Sequence, residues 1–185
     1  MIRSEIRTII ASITPFDALE ATHQMQALDW IDSGAGLFRV RKPATPDPHL
    51  VSYFIVIDRT AGKLLLVDHK KARLWLPSGG HVEPNEHPQV TVTREVVEEL
   101  NMQASFLSER PLFITITETV GVTAGHTDVS LWYVLLGDAS TSMQFDAHEF
   151  FGVQWFTPDE IPYERADPHL RRFVTKLNAM LDNRS

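Results

Sequence analysis

Residues 79–102 read GGHVEPNEHPQVTVTREVVEELNM. A turn-rich loop with two glycines opens this stretch, and residues 88–100 follow with the three- and four-residue apolar spacing that predicts an amphipathic helix. Three carboxylates, on Glu95, Glu98 and Glu99, fall in the last turns of that helix. Negative charge near a helix C-terminus costs about 0.3–1 kcal/mol for each group, so helix stability does not explain these residues.

The three glutamates share one face of the predicted helix. At about 100° per residue they fall on one arc, and the arc opposite holds Val92, Thr93, Val96, Val97 and Leu100. Two carboxylates about 6 Å apart repel by roughly 3 kcal/mol at an effective dielectric of about 20. The alternative is a solvated acidic face, on which exposure to water would cut this repulsion well below that figure. Mg²⁺ prefers oxygen ligands and is often held by a few carboxylates together with substrate phosphates, so the pattern favours a metal site.

Composition excludes several classes of protein. The chain has 185 residues and a net charge of -7, which argues against a basic surface for a nucleic-acid polymer. It has no cysteine, and therefore no disulfide, no thiolate metal site and no cysteine nucleophile. No segment approaches the roughly 18 apolar residues of a membrane span, and the N-terminus lacks the apolar run of a signal peptide. We expect a cytoplasmic protein.

The N-terminal part of the chain reads as a helical extension. Residues 1–32 have helical character, with Thr14 as an N-cap before Pro15 and Asp17 as the acid of a capping box. Residues 33–49 hold three prolines and two glycines, so they predict a connector.

The remaining chain mixes strands and helices. Residues 51–68 predict a β-hairpin, two or three further strands follow within residues 104–137, and another strand covers residues 151–156. Residues 167–182 carry the apolar spacing of a final amphipathic helix. Because strands and helices do not alternate strictly, we expect an α/β protein with a mixed sheet and helices on its faces.

The spacing within residues 80–102 resembles the Nudix box of Nudix hydrolases. That motif reads Gly, five residues, Glu, seven residues, Arg-Glu, an aliphatic residue, any residue, Glu-Glu, any residue, Gly and an aliphatic residue. The matching residues are Gly80, Glu86, Arg94, Glu95, Glu98, Glu99 and Met102. Asn101 replaces the last glycine of the motif, and asparagine is the next best residue in the left-handed conformation that ends a helix. Asn85 is expected in a similar turn.

This resemblance implies a fold and a division of the chain. We expect a Nudix-like α/β/α sandwich with a mixed sheet over residues 46–185, preceded by an N-terminal helical extension and connector over residues 1–45. The extension leaves three arrangements open: pairing in a homodimer, covering the active site, or packing on the core.

The resemblance also implies the roles of named residues. The expected metal ligands are the Gly80 carbonyl and the carboxylates of Glu95, Glu98, Glu99 and Glu149. Asp146 is the second candidate for the ligand that follows the box. Glu86 is expected to orient the loop or hold water, and Arg94 to fix a box glutamate through a charge-assisted hydrogen bond. The expected catalytic residues are Glu86, Arg94, Glu95, Glu98, Glu99 and Glu149.

Four side chains outside the acidic set are candidate substrate contacts: Trp75, His81, Asp128 and Trp132. Each has a structural alternative, because aromatic residues in strands mostly pack in the core and a histidine in a loop is often only hydrogen-bonded. Asp128 either reads the amino edge of a base or is a turn acid at the start of a strand. Three other histidines lack metal-binding spacing and are expected to be solvated or structural: His87, His126 and His148.

The implied reaction is the Mg²⁺- or Mn²⁺-dependent hydrolysis of a nucleoside diphosphate linked to another moiety, X. The substrate would be a small nucleotide or another diphosphate. Two alternatives keep the fold: chemistry on an isoprenyl diphosphate, which the absence of cysteine disfavours, and a non-catalytic nucleotide sensor, which the complete acidic set disfavours. Sequence leaves open the identity of X, the general base, the number of metal ions and the oligomeric state.

Overall fold

A computed structural model describes residues 2–42, 45–119 and 125–183 of the protein. Within them, the helices are α1 (Ile2–Ala11), α2 (Ala18–Asp32), α3 (Pro88–Leu100) and α4 (Leu170–Asp182). The strands are β1 (His49–Asp58), β2 (Lys63–His69), β3 (Leu74–Leu76), β4 (Ser78–His81), β5 (Phe113–Glu118), β6 (Thr127–Leu136) and β7 (Phe150–Phe156). Short 3-10 turns cover Pro158–Glu160 and Tyr163–Arg165. No helix in these ranges is long and apolar enough to cross a membrane.

The strands form one mixed sheet, as expected. Its main path runs β3-β2-β1-β6-β5, while β4 pairs with β1 and β7 pairs with β2. Strands β1 and β6 are parallel, and the other pairs are antiparallel. The predicted hairpin is present, with Ile57 of β1 opposite Leu64 of β2.

Helices cover both faces of this sheet. Alternate residues of β1, including Phe54 and Val56, join a core cluster with α1, α2 and α3. The residues between them, including Ile55 and Ile57, join a second cluster with α4. Because successive side chains of a strand point to opposite faces, this alternation separates an α3 face of the sheet from an α4 face. The expected α/β/α arrangement is confirmed.

The start of α2 differs from the sequence prediction. The N-cap is Asp17, whose side chain accepts a hydrogen bond of 2.8 Å from the backbone N–H of Glu20, and Thr14 does not cap this helix. Asp17 also accepts from the guanidinium of Arg172 in α4, which holds the pKa of Asp17 down at about 2. The acid therefore satisfies the free N–H groups of α2 while it ties that helix to α4.

The N-terminal helices pack on the core. Ile6, Ile10 and Ile31 are at most 2% exposed and lie in the cluster on the α3 face. A buried ion pair adds to this packing, because Lys176 Nζ in α4 lies 2.7 Å from Glu20 Oε1. Glu20 is 0% exposed and also accepts from the backbone N–H of Phe16 at 2.7 Å. Of the three arrangements that sequence left open, the structure has packing on the core.

We predict that Lys176→Met destabilises the protein by about 3–5 kcal/mol, because it leaves the buried Glu20 carboxylate without its cation. The double variant Glu20→Gln/Lys176→Met should recover most of this loss. Urea unfolding of both variants measures the effect. Arg7→Gln is the matched control, since Arg7 pairs with Asp32 at the surface. Equal losses for Lys176→Met and Arg7→Gln would contradict the prediction.

Candidate metal and catalytic site

Two glycines of β4 let the strand pass close to its neighbours. Gly79 has a φ of +143°, and a Cβ there would lie 2.1 Å from the backbone oxygen of Ser52. A Cβ on Gly80 would lie 2.0 Å from Glu95 Oε1. The first glycine is therefore needed for pairing with β1, and the second lets the Glu95 carboxylate lie against the backbone of β4.

Asparagine occupies two left-handed positions around α3, as the sequence predicted. Asn85 has a φ of 64° in the loop, and Asn101 has a φ of 49° at the C-cap. Asn101 also donates from Nδ2 to Gln144 Oε1 at 2.6 Å. The residue that departs from the motif thus ends the helix and binds the segment that leads to β7.

Arg94 connects the loop to the helix. Its Nε and Nη2 donate to the two carboxylate oxygens of Glu86, each at 3.2 Å, and its Nη1 donates to Glu95 Oε1 at 2.6 Å. Nη1 also lies 3.5 Å from Glu98 Oε2. Burial alone would raise the pKa of Glu86, but hydrogen bonds from Arg94 and Thr91 outweigh it and lower the pKa. Glu86 is therefore an anion that holds Arg94 in place.

Glu99 is buried on the packed side of α3, which differs from the helical-wheel prediction. It is 7% exposed, whereas Val97 is 42% exposed and Thr93 also faces solvent. The reason is local: Glu99 Oε2 accepts from Ser78 Oγ at 2.6 Å and from the backbone N–H of Gly79 at 3.0 Å. Burial, with a smaller contribution from neighbouring carboxylates, raises the pKa of Glu99 to about 8.

A fourth carboxylate, that of Glu149, lies outside the box and contributes to the raised pKa values of two box glutamates. The pKa of Glu95 is raised by burial, and the charges of Glu98 and Glu149 raise it further. Glu149 also contributes to the raised pKa of Glu99. The segment before Glu149 is tied to α3 because the backbone N–H of Asp146 donates to Glu99 O at 2.8 Å. The Asp146 carboxylate instead accepts from the backbone N–H of His148.

The donor set fits a hard divalent cation. Glu95 and Glu99 are held by hydrogen bonds, while the side chain of Glu98 is 59% exposed and faces the solvent side. Arg94 is a cation bound to this group. Even with Arg94 in place, the pKa values of Glu95 and Glu99 are raised, so the group still disfavours negative charge on these two carboxyls. Clustered carboxylate oxygens beside the backbone of Gly80 are the ligand type that Mg²⁺ and Mn²⁺ prefer.

The two tryptophan candidates for substrate contact lie away from this group. Trp132 is 0% exposed, its indole N–H donates to Thr115 Oγ1 at 2.9 Å, and it stacks on Phe173 of α4. It is therefore a core residue that is not available to a ligand in this structure. Trp75 is partly exposed on β3, where it packs against Phe156 and the guanidinium of Arg165.

His81 and Asp128 come together on the α4 face of the sheet, with two histidines that sequence analysis did not place there. His126 is 5% exposed, so of the two expected alternatives, solvated or structural, it is not the solvated one, and His49 is 0% exposed. One donor atom from each of these four residues lies within 4.8 Å of the others. His87 caps α3 through its ring, and His148 is exposed.

Known proteins share this fold. The NUDIX domain family model matches residues 48–177. A "MutT-like protein" from Streptomyces ambofaciens is 27% identical over 138 residues, which are 75% of this chain and 83% of that protein. A NUDIX-family hydrolase from Clostridium perfringens superposes with a TM-score of 0.57 at 19% identity, covering 74% of this chain and 99% of that one. An Ap4A hydrolase from C. elegans has a TM-score of 0.51 at 22% identity, covering 72% and 98%.

We predict that Glu99 makes the metal-free protein less stable as pH rises. Its pKa is raised from 4.5 to about 8, so the folded state binds the proton more tightly, and the free energy of unfolding falls between these pH values. Glu99→Gln mimics the protonated group and should remove this fall. At about 1.36 kcal/mol per pKa unit, the wild type should lose up to roughly 4 kcal/mol more than the variant.

Urea unfolding in the presence of a chelator, at about pH 5 and about pH 8.5, measures this difference. Glu109→Gln is the control, because Glu109 is exposed and outside the site. Added Mg²⁺ should reduce the difference, since a bound cation favours the carboxylate. Parallel pH dependence in all three proteins would show that Glu99 does not carry the effect.

Proposed function

The chain belongs to the NUDIX family and is a Nudix-type hydrolase, and we propose that it cleaves the diphosphate bond of a nucleoside diphosphate linked to another moiety, X, with Mg²⁺ or Mn²⁺. One observation carries this proposal. The partly buried Glu95 and the buried Glu99 accept hydrogen bonds of 2.6 Å from Arg94 and Ser78 respectively, and the charge of Glu149 raises the pKa of both. Such a group of anions fits a divalent cation shared with a diphosphate.

Five residues of this chain would hold the cation: Gly80, through its carbonyl, and Glu95, Glu98, Glu99 and Glu149. When bound, the ion supplies positive charge to the diphosphate and lowers the pKa of a water molecule. Ser78 and Arg94 keep two of the carboxylates oriented before substrate arrives, because they already bind Glu99 and Glu95. Preorganised groups of this kind lower the cost of reaching the transition state.

Glu149 is the carboxylate best suited to accept the proton of the attacking water. It is exposed at the start of β7, outside the hydrogen bonds that fix Glu95 and Glu99. A general base must be able to reach water at the solvent side of the substrate, and Glu149 meets that requirement. The exposed Glu98 completes the cation site from the same side.

Nucleotide substrates are supported by the relatives rather than by a pocket in this chain. The C. elegans neighbour is named for hydrolysis of Ap4A, and its likeness to this chain extends to the fold. His81 and Asp128, two of the expected substrate contacts, lie on the face of the sheet opposite the box carboxylates. A screen of nucleoside triphosphates, nucleotide sugars, ADP-ribose, dinucleotides and NADH with Mg²⁺ tests the class of substrate.

We predict that Glu98→Gln keeps the fold and loses at least about 100-fold in Mg²⁺-dependent turnover, because the cation is worth several kcal/mol to the reaction. Steady-state kinetics on a substrate found in the screen measure the loss, and circular dichroism checks the fold. Glu109→Gln, an exposed glutamate away from the site, should match the wild type. Undiminished turnover by Glu98→Gln would refute the site.

Glu149→Gln separates the role of base from the role of ligand. If Glu149 is the base, kcat should fall by about 10²–10⁴-fold, the acid limb of the pH–rate profile should disappear, and the Mg²⁺ concentration for half-maximal rate should stay unchanged. A rise in that Mg²⁺ concentration with little change in saturating kcat would assign Glu149 as a ligand only.

A further inference from the structure

The four residues on the α4 face are brought together by strand register. His49 of β1 is paired with Asp128 of β6, so their side chains point to the same face. His81 of β4 is opposite Val51, which lies two residues from His49 and therefore also on that face. His126 lies two residues before Asp128. Side chains from three neighbouring strands, and from the residue just before β6, thus meet at one end of the sheet.

This cluster is separate from the carboxylates on α3. Gly80 and His81 are adjacent in β4, so they face opposite sides of the sheet. Gly80 contacts Glu95, which lies on the α3 side. His81 turns to the α4 side, where its ring centroid is 4.8 Å from that of His49. The histidine cluster is therefore independent of the box and of its proposed function.

The donor atoms lie near the spacing of a metal site. His49 Nε2 lies 3.2 Å and His126 Nε2 lies 3.5 Å from Asp128 Oδ1. One donor atom from each of these three residues and from His81 lies within 4.8 Å of the others. With zinc–nitrogen bonds of about 2.0–2.1 Å, the donors of a tetrahedral zinc site lie about 3.4 Å apart. A small contraction of the cluster would meet that geometry.

The hydrogen bond at His49 Nδ1 determines whether His49 Nε2, which faces the centre of the cluster, carries a proton or a lone pair. His49 Nδ1 is 2.8 Å from the carbonyl oxygen of Pro46, which can only accept, so Nδ1 carries the proton. In the neutral ring, Nε2 then presents a lone pair to Asp128 Oδ1, which is also an acceptor. Both atoms are buried and have no hydrogen-bond partner among the residues that the structure describes, and the same is true of His81 Nε2.

Two buried acceptors 3.2 Å apart require a cation between them. A proton on His49 Nε2 would satisfy that pair but would leave His81 Nε2 without a partner. Neutral imidazole nitrogen is a zinc ligand, and a bond from the other ring nitrogen to a carbonyl is the usual support for such a ligand.

We propose that His49, His81, His126 and Asp128 form a Zn²⁺ site. Three imidazoles and one carboxylate are a donor set for zinc and related transition metals rather than for Mg²⁺. Four protein ligands would close the coordination sphere, which is typical of a structural site. The ion would join β4, β1 and β6, and β4 leads directly into the loop that carries the Nudix box. Its role would be to fix that loop from the opposite face of the sheet.

Metal binding can be measured without any substrate. The full chain is stripped with a chelator, loaded with Zn²⁺ or with Co²⁺ as a spectroscopic probe, and kept in excess Mg²⁺ to occupy the carboxylates. We expect one Zn²⁺ per chain, a rise in the thermal midpoint, and the visible absorption of tetrahedral Co²⁺. His126→Gln and Asp128→Asn should each weaken Zn²⁺ binding by at least about 100-fold, because loss of even an outer partner costs about 10–100-fold.

Two further variants make the result specific. His148→Gln removes an exposed histidine outside the cluster and should bind Zn²⁺ as the wild type does. Glu98→Gln should also keep the Zn²⁺ and the Co²⁺ spectrum, even if it loses turnover, which separates this inference from the proposed function. If a variant fails to fold by circular dichroism, His81→Gln, which changes a partly exposed ligand, replaces it.

Two results would overturn the Zn²⁺ site. The first is Zn²⁺ binding that is unchanged in His126→Gln and Asp128→Asn, since the ion would then lie elsewhere. The second is a stripped protein that takes up no Zn²⁺ and whose His49 ring carries protons on both nitrogens by ¹⁵N nuclear magnetic resonance. In that case a proton, rather than a metal ion, is the cation between His49 and Asp128.

Discussion

The candidate site depends on the hydrogen bonds that the guanidinium of Arg94 donates to two carboxylates. This group divides its hydrogen bonds between Glu86 of the loop and Glu95 of the helix, at distances of 2.6–3.2 Å. A planar group with several fixed donors can serve both carboxylates at once, which lysine could not do. The loop, the helix and β4 are consequently held in one arrangement. The carboxylates of Glu95, Glu98, Glu99 and Glu149 outnumber this one guanidinium, and that excess of acidic groups is the physical basis for the proposed metal binding.

The alternation of side chains along β4 allows two kinds of chemistry to lie close in sequence. Ser78 and Gly80 face α3 and contact Glu99 and Glu95, while His81 faces the other side. Hard oxygen donors thus gather on one face of the sheet and imidazole nitrogens on the other. Because the two donor sets prefer different ions, Mg²⁺ and Zn²⁺ would be sorted by ligand type as well as by position.

Local patterns in the sequence predicted the elements that depend on local interactions. Helix α3 has the predicted limits, and Asn101 takes the predicted left-handed conformation. The burial of Glu99 was not predictable from a helical wheel, because it depends on hydrogen bonds from Ser78 and Gly79 in another strand. The choice of Asp17 over Thr14 as the cap of α2 likewise involves Arg172, a distant partner.

The histidine cluster could not be found from spacing along the chain. His49 and Asp128 are neighbours only because β1 and β6 are parallel, and local periodicity does not reveal which strands pair. The same pairing places Trp132 in the core, which removed it from the substrate candidates. Sequence patterns assign His49 to the connector, and its place at the start of β1 becomes informative only when the sheet order is known.

Anomalous diffraction from crystals grown with Mn²⁺ tests the central claim most directly, since Mn²⁺ can replace Mg²⁺ at oxygen ligands and is visible to X-rays. The arrangement of charge around Arg94 predicts a peak within coordination distance, about 2.0–2.6 Å, of carboxylate oxygens from at least two of Glu95, Glu98 and Glu99. Crystals that hold Mn²⁺ elsewhere, with no peak beside these glutamates, would contradict it.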